Sequence, residues 1–87
     1  MTLDVAALRA DTLGCEHVIH LNNAGSSLQP RPVVEAVRTY LDDEVKFGGY
    51  ETAAARRGEV DDFYPAVADL IGARPDEIAF LYSATRA

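Results

Sequence analysis

Ile78-Ala79-Phe80-Leu81-Tyr82-Ser83-Ala84-Thr85-Arg86-Ala87 decides how this chain is read. Ile78 to Tyr82 is apolar throughout rather than alternating. That pattern predicts a strand covered on both faces, as in a parallel sheet between helices. The alternative is a helix end, which the preceding Arg74-Pro75-Asp76-Glu77 turn opposes. Ser83-Ala84-Thr85 then reads as a small-residue turn of the kind that opens a helix and holds a phosphate at its N-terminus. No helix follows, so the chain reads as the front end of something larger, stopping where its chemistry would begin.

Working outward, a strand of this kind needs paired neighbours. The one other strand candidate is Val18-Ile19-His20-Leu21. Two short strands do not make a stable sheet, so further chain is expected to supply it. Between the two lie helical patterns. Pro30 and Pro32 set a helix start. Val33, Val34, Val37, Leu41 and Val45 then form one stripe on a helix ending near Gly48-Gly49. Arg38–Asp42 and Asp42–Lys46 have the i,i+4 spacing for weak ion pairs. A second long helix is predicted over 51–71, with Val60, Phe63, Tyr64, Val67, Leu70 and Ile71 as its apolar face and Gly72 closing it. Pro65 inside that pattern predicts a kink or break. A short helix from Asp4 to about Leu13, capped by Gly14, opens the chain. Asn22-Asn23-Ala24-Gly25-Ser26-Ser27 is a loop.

Composition narrows the function classes. The chain has 87 residues, 48% apolar and 25% charged, with a net charge of −6. Fourteen acids against eight bases oppose nucleic-acid binding and adhesion to anionic lipid. The acids at Asp42-Asp43-Glu44 and Glu59-Asp61-Asp62 read as solvated helix faces, and no metal site is expected. Cys15 is the single cysteine, so it has no internal disulfide partner, and it reads as a partly buried apolar residue. No apolar run reaches membrane-span length and no signal peptide is visible, so a cytoplasmic protein is expected.

Four stretches in order carry a family resemblance. His20-Leu21-Asn22-Asn23-Ala24-Gly25-Ser26-Ser27-Leu28-Gln29-Pro30 is similar to the opening signature of class V aminotransferases and cysteine desulfurases, which are fold-type I pyridoxal-phosphate enzymes. Gly48-Gly49-Tyr50-Glu51 resembles the stretch after their first helix. Ile71 to Phe80 resembles their lead into the first large-domain strand, and Ser83 to Ala87 their phosphate-binding turn.

The resemblance implies an α/β fold: the N-terminal portion of a fold-type I transferase, with two long helices, a short strand and one large-domain sheet strand. This segment is itself mainly helical. Residues 1–49 would be the N-terminal arm and first helix, and 50–87 the second helix with the first strand and phosphate turn. The implied cofactor is pyridoxal 5′-phosphate, the substrate an amino acid, and the complete enzyme a homodimer. Transamination, C–S bond cleavage and epimerisation are the implied reaction classes.

Implied cofactor-phosphate ligands are Ala84 and Thr85, with Ser83 adding a hydroxyl. Read from the residues alone, the same turn is first a helix N-cap and only second a phosphate site, an order that the resemblance reverses. The carboxylate of Ala87 would repel a phosphate, so binding by this chain alone is not expected. Asn23, Ala24 and Gly25 are implied to wall the substrate, and as residues they also read as an Asx turn. Tyr50 would reach across a dimer interface or pack in a core. His17 and His20 read as surface or packing residues. Lys46 is the only lysine, on a polar helix face, and matches no aldimine lysine, so no turnover is expected from this chain alone. The competing readings are a helical interaction module, such as one part of a split enzyme docking on a partner, and an inactive remnant of a truncated gene.

Overall fold

The computed structural model describes residues 2–87 and is mainly helical. Five α-helices follow in order: α1 (Val5–Ala10), α2 (Arg31–Phe47), α3 (Gly49–Ala55), α4 (Arg57–Asp61) and α5 (Phe63–Ile71). Short 3₁₀ turns occupy Leu13–Glu16, Pro75–Glu77 and Ala84–Arg86. The chain separates into two units, Met1–Gly48 and Gly49–Ala87.

In the first unit, α1 begins where the Asp4 carboxylate accepts the Ala7 N–H at 3.0 Å, satisfying one of the open donors of the first turn. It ends earlier than the sequence suggests. The Thr12 hydroxyl donates to the Leu8 carbonyl at 2.9 Å, and Gly14 falls inside the separate 3₁₀ turn instead of capping the helix. α2 starts as expected, with Pro30 as the extended residue before it and Pro32 in its first turn. It stops at Gly48, whose φ is 93°. Arg31 pairs with Glu35 at 3.2 Å, one turn on. That is the i,i+4 ion pair formed on α2 among the described residues, in place of Arg38–Asp42 or Asp42–Lys46.

In the second unit, the helix expected over 51–71 is divided in three. The interruptions fall at Arg56 (φ −105°, ψ 13°) and at Asp62. Pro65 itself sits in the first turn of α5, where a missing N–H costs nothing. Its effect is felt one turn earlier, where the Asp61 carbonyl finds no N–H on residue 65 to accept, next to the interruption at Asp62. α5 closes on Gly72 at φ 73°, and the Ala73 N–H reaches back to the Ala68 carbonyl at 2.9 Å. That six-to-one bond needs the left-handed residue glycine supplies. The Arg74–Glu77 turn forms as read, with Glu77 N–H on the Arg74 carbonyl at 2.9 Å and Arg74 Nε on Asp76 at 3.0 Å.

The two predicted strands do not form. No strand exists among the described residues. Ile78 (φ −102°, ψ 132°) and Ser83 (φ −165°, ψ 164°) are extended, yet no N–H from Ala79 to Tyr82 donates to a backbone carbonyl. Val18–Leu21 is likewise unladdered. The reason is the absence of edge partners: extended backbone becomes a strand only when a neighbour takes its hydrogen bonds. Ile78–Tyr82 is held by side chains instead. The Phe80 ring meets Phe63 of α5 edge-on at 5.4 Å.

The core is correspondingly thin. Among the described residues Ala68 (1% exposed) is the buried apolar one, and Val33, Val37, Leu41 and Val45 of the α2 stripe stay between 46% and 87% exposed. The accessible surface is 7699 Å². A compact monomer of this length exposes roughly 5,000 Å², and two separate compact bodies of these lengths together roughly 6,000 Å². The excess is therefore a property of the units themselves, whose helices present apolar stripes with little to cover them.

Candidate functional site

Two turns hold the residues that the sequence marks for chemistry, one in each unit. The first is the loop after His20. Asn22 folds it: its carbonyl accepts the Ser26 N–H at 3.1 Å and its Oδ1 accepts the Gly25 N–H at 3.3 Å. A Cβ on Gly25 would lie 2.8 Å from the Asn22 amide nitrogen, so glycine lets the side chain close over the turn. Asn23, Ala24 and Gly25 form the tip, all exposed. His20 braces the loop, its Nε2 lying 2.7 Å from the Ser26 carbonyl. A carbonyl only accepts, so Nε2 carries the hydrogen and donates it.

The second is Ser83–Arg86. Ser83 is extended, its side chain caps nothing, and the turn is closed by Arg86 N–H on the Ser83 carbonyl at 3.1 Å. The amides of Ala84 and Thr85 are engaged by no bond of the turn, and both residues are exposed. Two adjacent free amides beside two hydroxyls, from Ser83 and Thr85, are a donor set suited to a phosphate's oxygens. Tyr50 stands in α3 with its side chain 92% exposed, and no hydrogen bond or ring contact links it to Ser83–Thr85. Lys46 is exposed in the last turn of α2, and no group of three or more potential metal ligands occurs among the described residues. No helix among them is long and apolar enough to cross a membrane.

Three features were not foreseen from sequence. An aromatic row runs Tyr64–Phe63–Phe80–Tyr82, with centroids 5.3, 5.4 and 6.0 Å apart and every pair edge-to-face. It borders an open groove of about 550 Å³ shared with Val60, Glu59 and Asp62. The signal was the aromatic content of 63–64 and 80–82, which the sequence shows but whose meeting needs the Gly72–Glu77 turn. The second is a cavity of about 350 Å³ in the first unit, bordered by Arg9, His20, Asn23 and apolar side chains. The third is Thr52, 2% exposed, whose hydroxyl has no hydrogen-bond partner.

Compared with protein-family models, with curated proteins and with solved structures, the chain matches none. The fit of pyridoxal phosphate therefore rests on these residues. The Ser83–Thr85 donors fit its phosphate end, whereas Lys46, distant in role and exposed, offers no match for the covalent attachment.

Proposed function

We propose that this chain is the N-terminal part of a pyridoxal-phosphate enzyme of the class V aminotransferase and cysteine desulfurase type, acting on an amino acid. The observation that carries the reading is 78–86: an apolar run from Ile78 to Tyr82, with no backbone hydrogen bond donated by residues 79–82, leading through the extended Ser83 into a turn with two unbonded amides. Such a segment is what the edge of a sheet looks like before its neighbours are added. In this reading Ala84 and Thr85 amides, with the Ser83 and Thr85 hydroxyls, bind and orient the cofactor phosphate. Asn23–Gly25 lines the substrate side, and Tyr50 serves the dimer. The cofactor, when bound, acts as the electron sink for the amino acid's bond cleavage.

The chain by itself is proposed to be inactive, lacking an attachment lysine. Sequencing the gene across codon 87 tests the reading. An in-frame continuation, or an adjacent frame, encoding a large domain with such a lysine supports it. Finding neither would overturn it, as would turnover and a borohydride-fixed cofactor on Lys46 of the 87-residue chain.

The exposed α2 stripe favours a second reading, in which the chain docks on the remainder of a split enzyme. Size-exclusion chromatography with that candidate remainder distinguishes it: a shared peak supports docking, and separate peaks with a cooperatively folded monomer oppose it.

A further inference from the structure

Most of this chain's surface charge is negative, but the cavity between α1 and the 18–28 segment is different. Its volume is about 350 Å³. Arg9, from the last turn of α1, is the one permanently charged residue in its lining, and no carboxylate borders it. The Arg9 guanidinium makes no ion pair or hydrogen bond among the described residues, while its backbone carbonyl accepts the Thr12 N–H at 3.1 Å. By contrast Arg31, Arg57 and Arg74 each hold an acid. The Asn23 side-chain amide in the lining is similarly uncommitted. Thr12 and Cys15 also line it, and the apolar part of the wall is Val18, Ile19, Leu21 and Leu28. His20 completes it, its ring held by the Ser26 carbonyl.

We propose that this cavity binds a small aliphatic carboxylate, head group on Arg9 and chain along Val18, Ile19 and Leu28. A guanidinium presents paired N–H donors that match the two oxygens of a carboxylate, and the Asn23 amide supplies a further donor. Several features select this ligand class. The volume lies at the low end of small-molecule sites, which run from about 300 to 1,000 Å³, so the ligand is short. The apolar wall rewards a hydrocarbon tail. A single guanidinium balances one negative charge, which leaves a phosphate dianion uncompensated in a chain of net charge −6. A cation would face Arg9 directly. The inference shares Asn23 with the proposed substrate side but is tested apart from that reading, since the binding uses Arg9 and needs neither pyridoxal phosphate nor the Ser83–Thr85 turn.

The test is a titration of the 87-residue chain with hexanoate, followed by NMR. The His20 ring and Asn23 side-chain amide signals should move and saturate in the millimolar range, while His17 and Thr85 stay still. Equal concentrations of 1-hexanol, hexylammonium and inorganic phosphate should move them far less. Arg9→Gln should weaken hexanoate about tenfold or more, the scale of a lost charge-assisted hydrogen-bond pair. Arg9→Lys should retain part of the affinity. Asn23→Asp, which places a carboxylate in the wall without altering side-chain size, should also weaken it, so the result does not depend on one variant folding. Absence of saturable shifts overturns the proposal. So does equal binding of hexanol or hexylammonium, or unchanged affinity in a folded Arg9→Gln chain. A tighter response to phosphate than to hexanoate would likewise overturn it.

Discussion

Arg31 is joined to Asp11 twice, its backbone N–H to the Asp11 carbonyl at 2.7 Å and its Nε to the Asp11 carboxylate at 2.9 Å. One residue thereby satisfies an open donor at the start of α2 and ties it to the residue that caps α1. Hydrogen bonds from Arg31 to Asp11 and then to Glu35 raise the guanidinium above its ordinary value. A cation raised in the folded state adds stability that is lost only when pH climbs through that raised value. Arg31 therefore stays charged throughout the working range and contributes no pH dependence there. Arg31→Gln removes the side-chain pairs and keeps the backbone bond. The expected outcome is unchanged helix content by circular dichroism and a pH–stability profile from pH 6 to 9 parallel to that of the parent.

Gly72 and Gly58 predict opposite signs for the same substitution. Neither would bring a new Cβ within 4 Å of another group, so space does not decide. Gly72 has φ 73°, and Gly72→Ala should cost about 1 kcal/mol through backbone strain alone. Gly58 lies within α4 without a positive φ, and Gly58→Ala should stabilise by about 0.5 kcal/mol. Urea midpoints of the two variants check this, and shifts in the same direction would contradict the conformations.

Thr52 carries a buried hydroxyl with nothing to bond. Thr52→Val keeps the branched shape and removes the unpaired group, so it should stabilise by about 1 kcal/mol. Thr52→Ser keeps the hydroxyl and opens a small gap, so it should destabilise. Thermal melts of the pair separate the two effects.

Phe63 and Phe80 are what hold the extended segment to α5. A double-mutant cycle of Phe63→Ala and Phe80→Ala should return a coupling of about 0.5–1.5 kcal/mol. Phe80→Ala should also raise backbone mobility across 78–82 in relaxation measurements. Mobility unchanged from the parent would show that something other than the ring contact positions the segment.

Exposed area predicts the denaturant response. An unfolded chain of this length exposes roughly 13,600 Å². The 7699 Å² that remains exposed after folding leaves about two-thirds of the usual area change. The urea m-value should accordingly be about two-thirds of that for a compact domain of 87 residues. The apolar stripes should also bind a hydrophobic dye such as ANS. A full m-value without dye binding would mean that Val33, Val37 and Leu41 are covered in solution.

Legibility followed the range of the interactions. The span of α2, its start after Pro30 and its stop at Gly48 could be read because stripe, prolines and glycine act within a few residues of themselves. So could the Gly72 end of α5. The early end of α1 was missed because Gly14 is a stronger sequence signal than a Thr12 hydroxyl bonding backward. The interruption expected at Pro65 lies before it, at Asp62, since proline acts on the carbonyl one turn back, whereas the interruption at Arg56 is out of its reach. Among the site residues, the turn at Asn23–Gly25 was legible from its composition. The cavity beside it was not, because Arg9 and Asn23 border one space only through the fold of 11–22.

The sequence by itself determined a mainly helical chain, the stops of α2 and α5 and its tight turns, because capping, proline and glycine effects are local and need no distant partner. Tertiary structure alone decided that Ile78–Tyr82 and Val18–Leu21 do not become strands. It also decided that Phe80 rests on Phe63 and that the helix stripes stay exposed. A strand and a core are both made of contacts between segments far apart in sequence, so their formation depends on which partners are present to receive them.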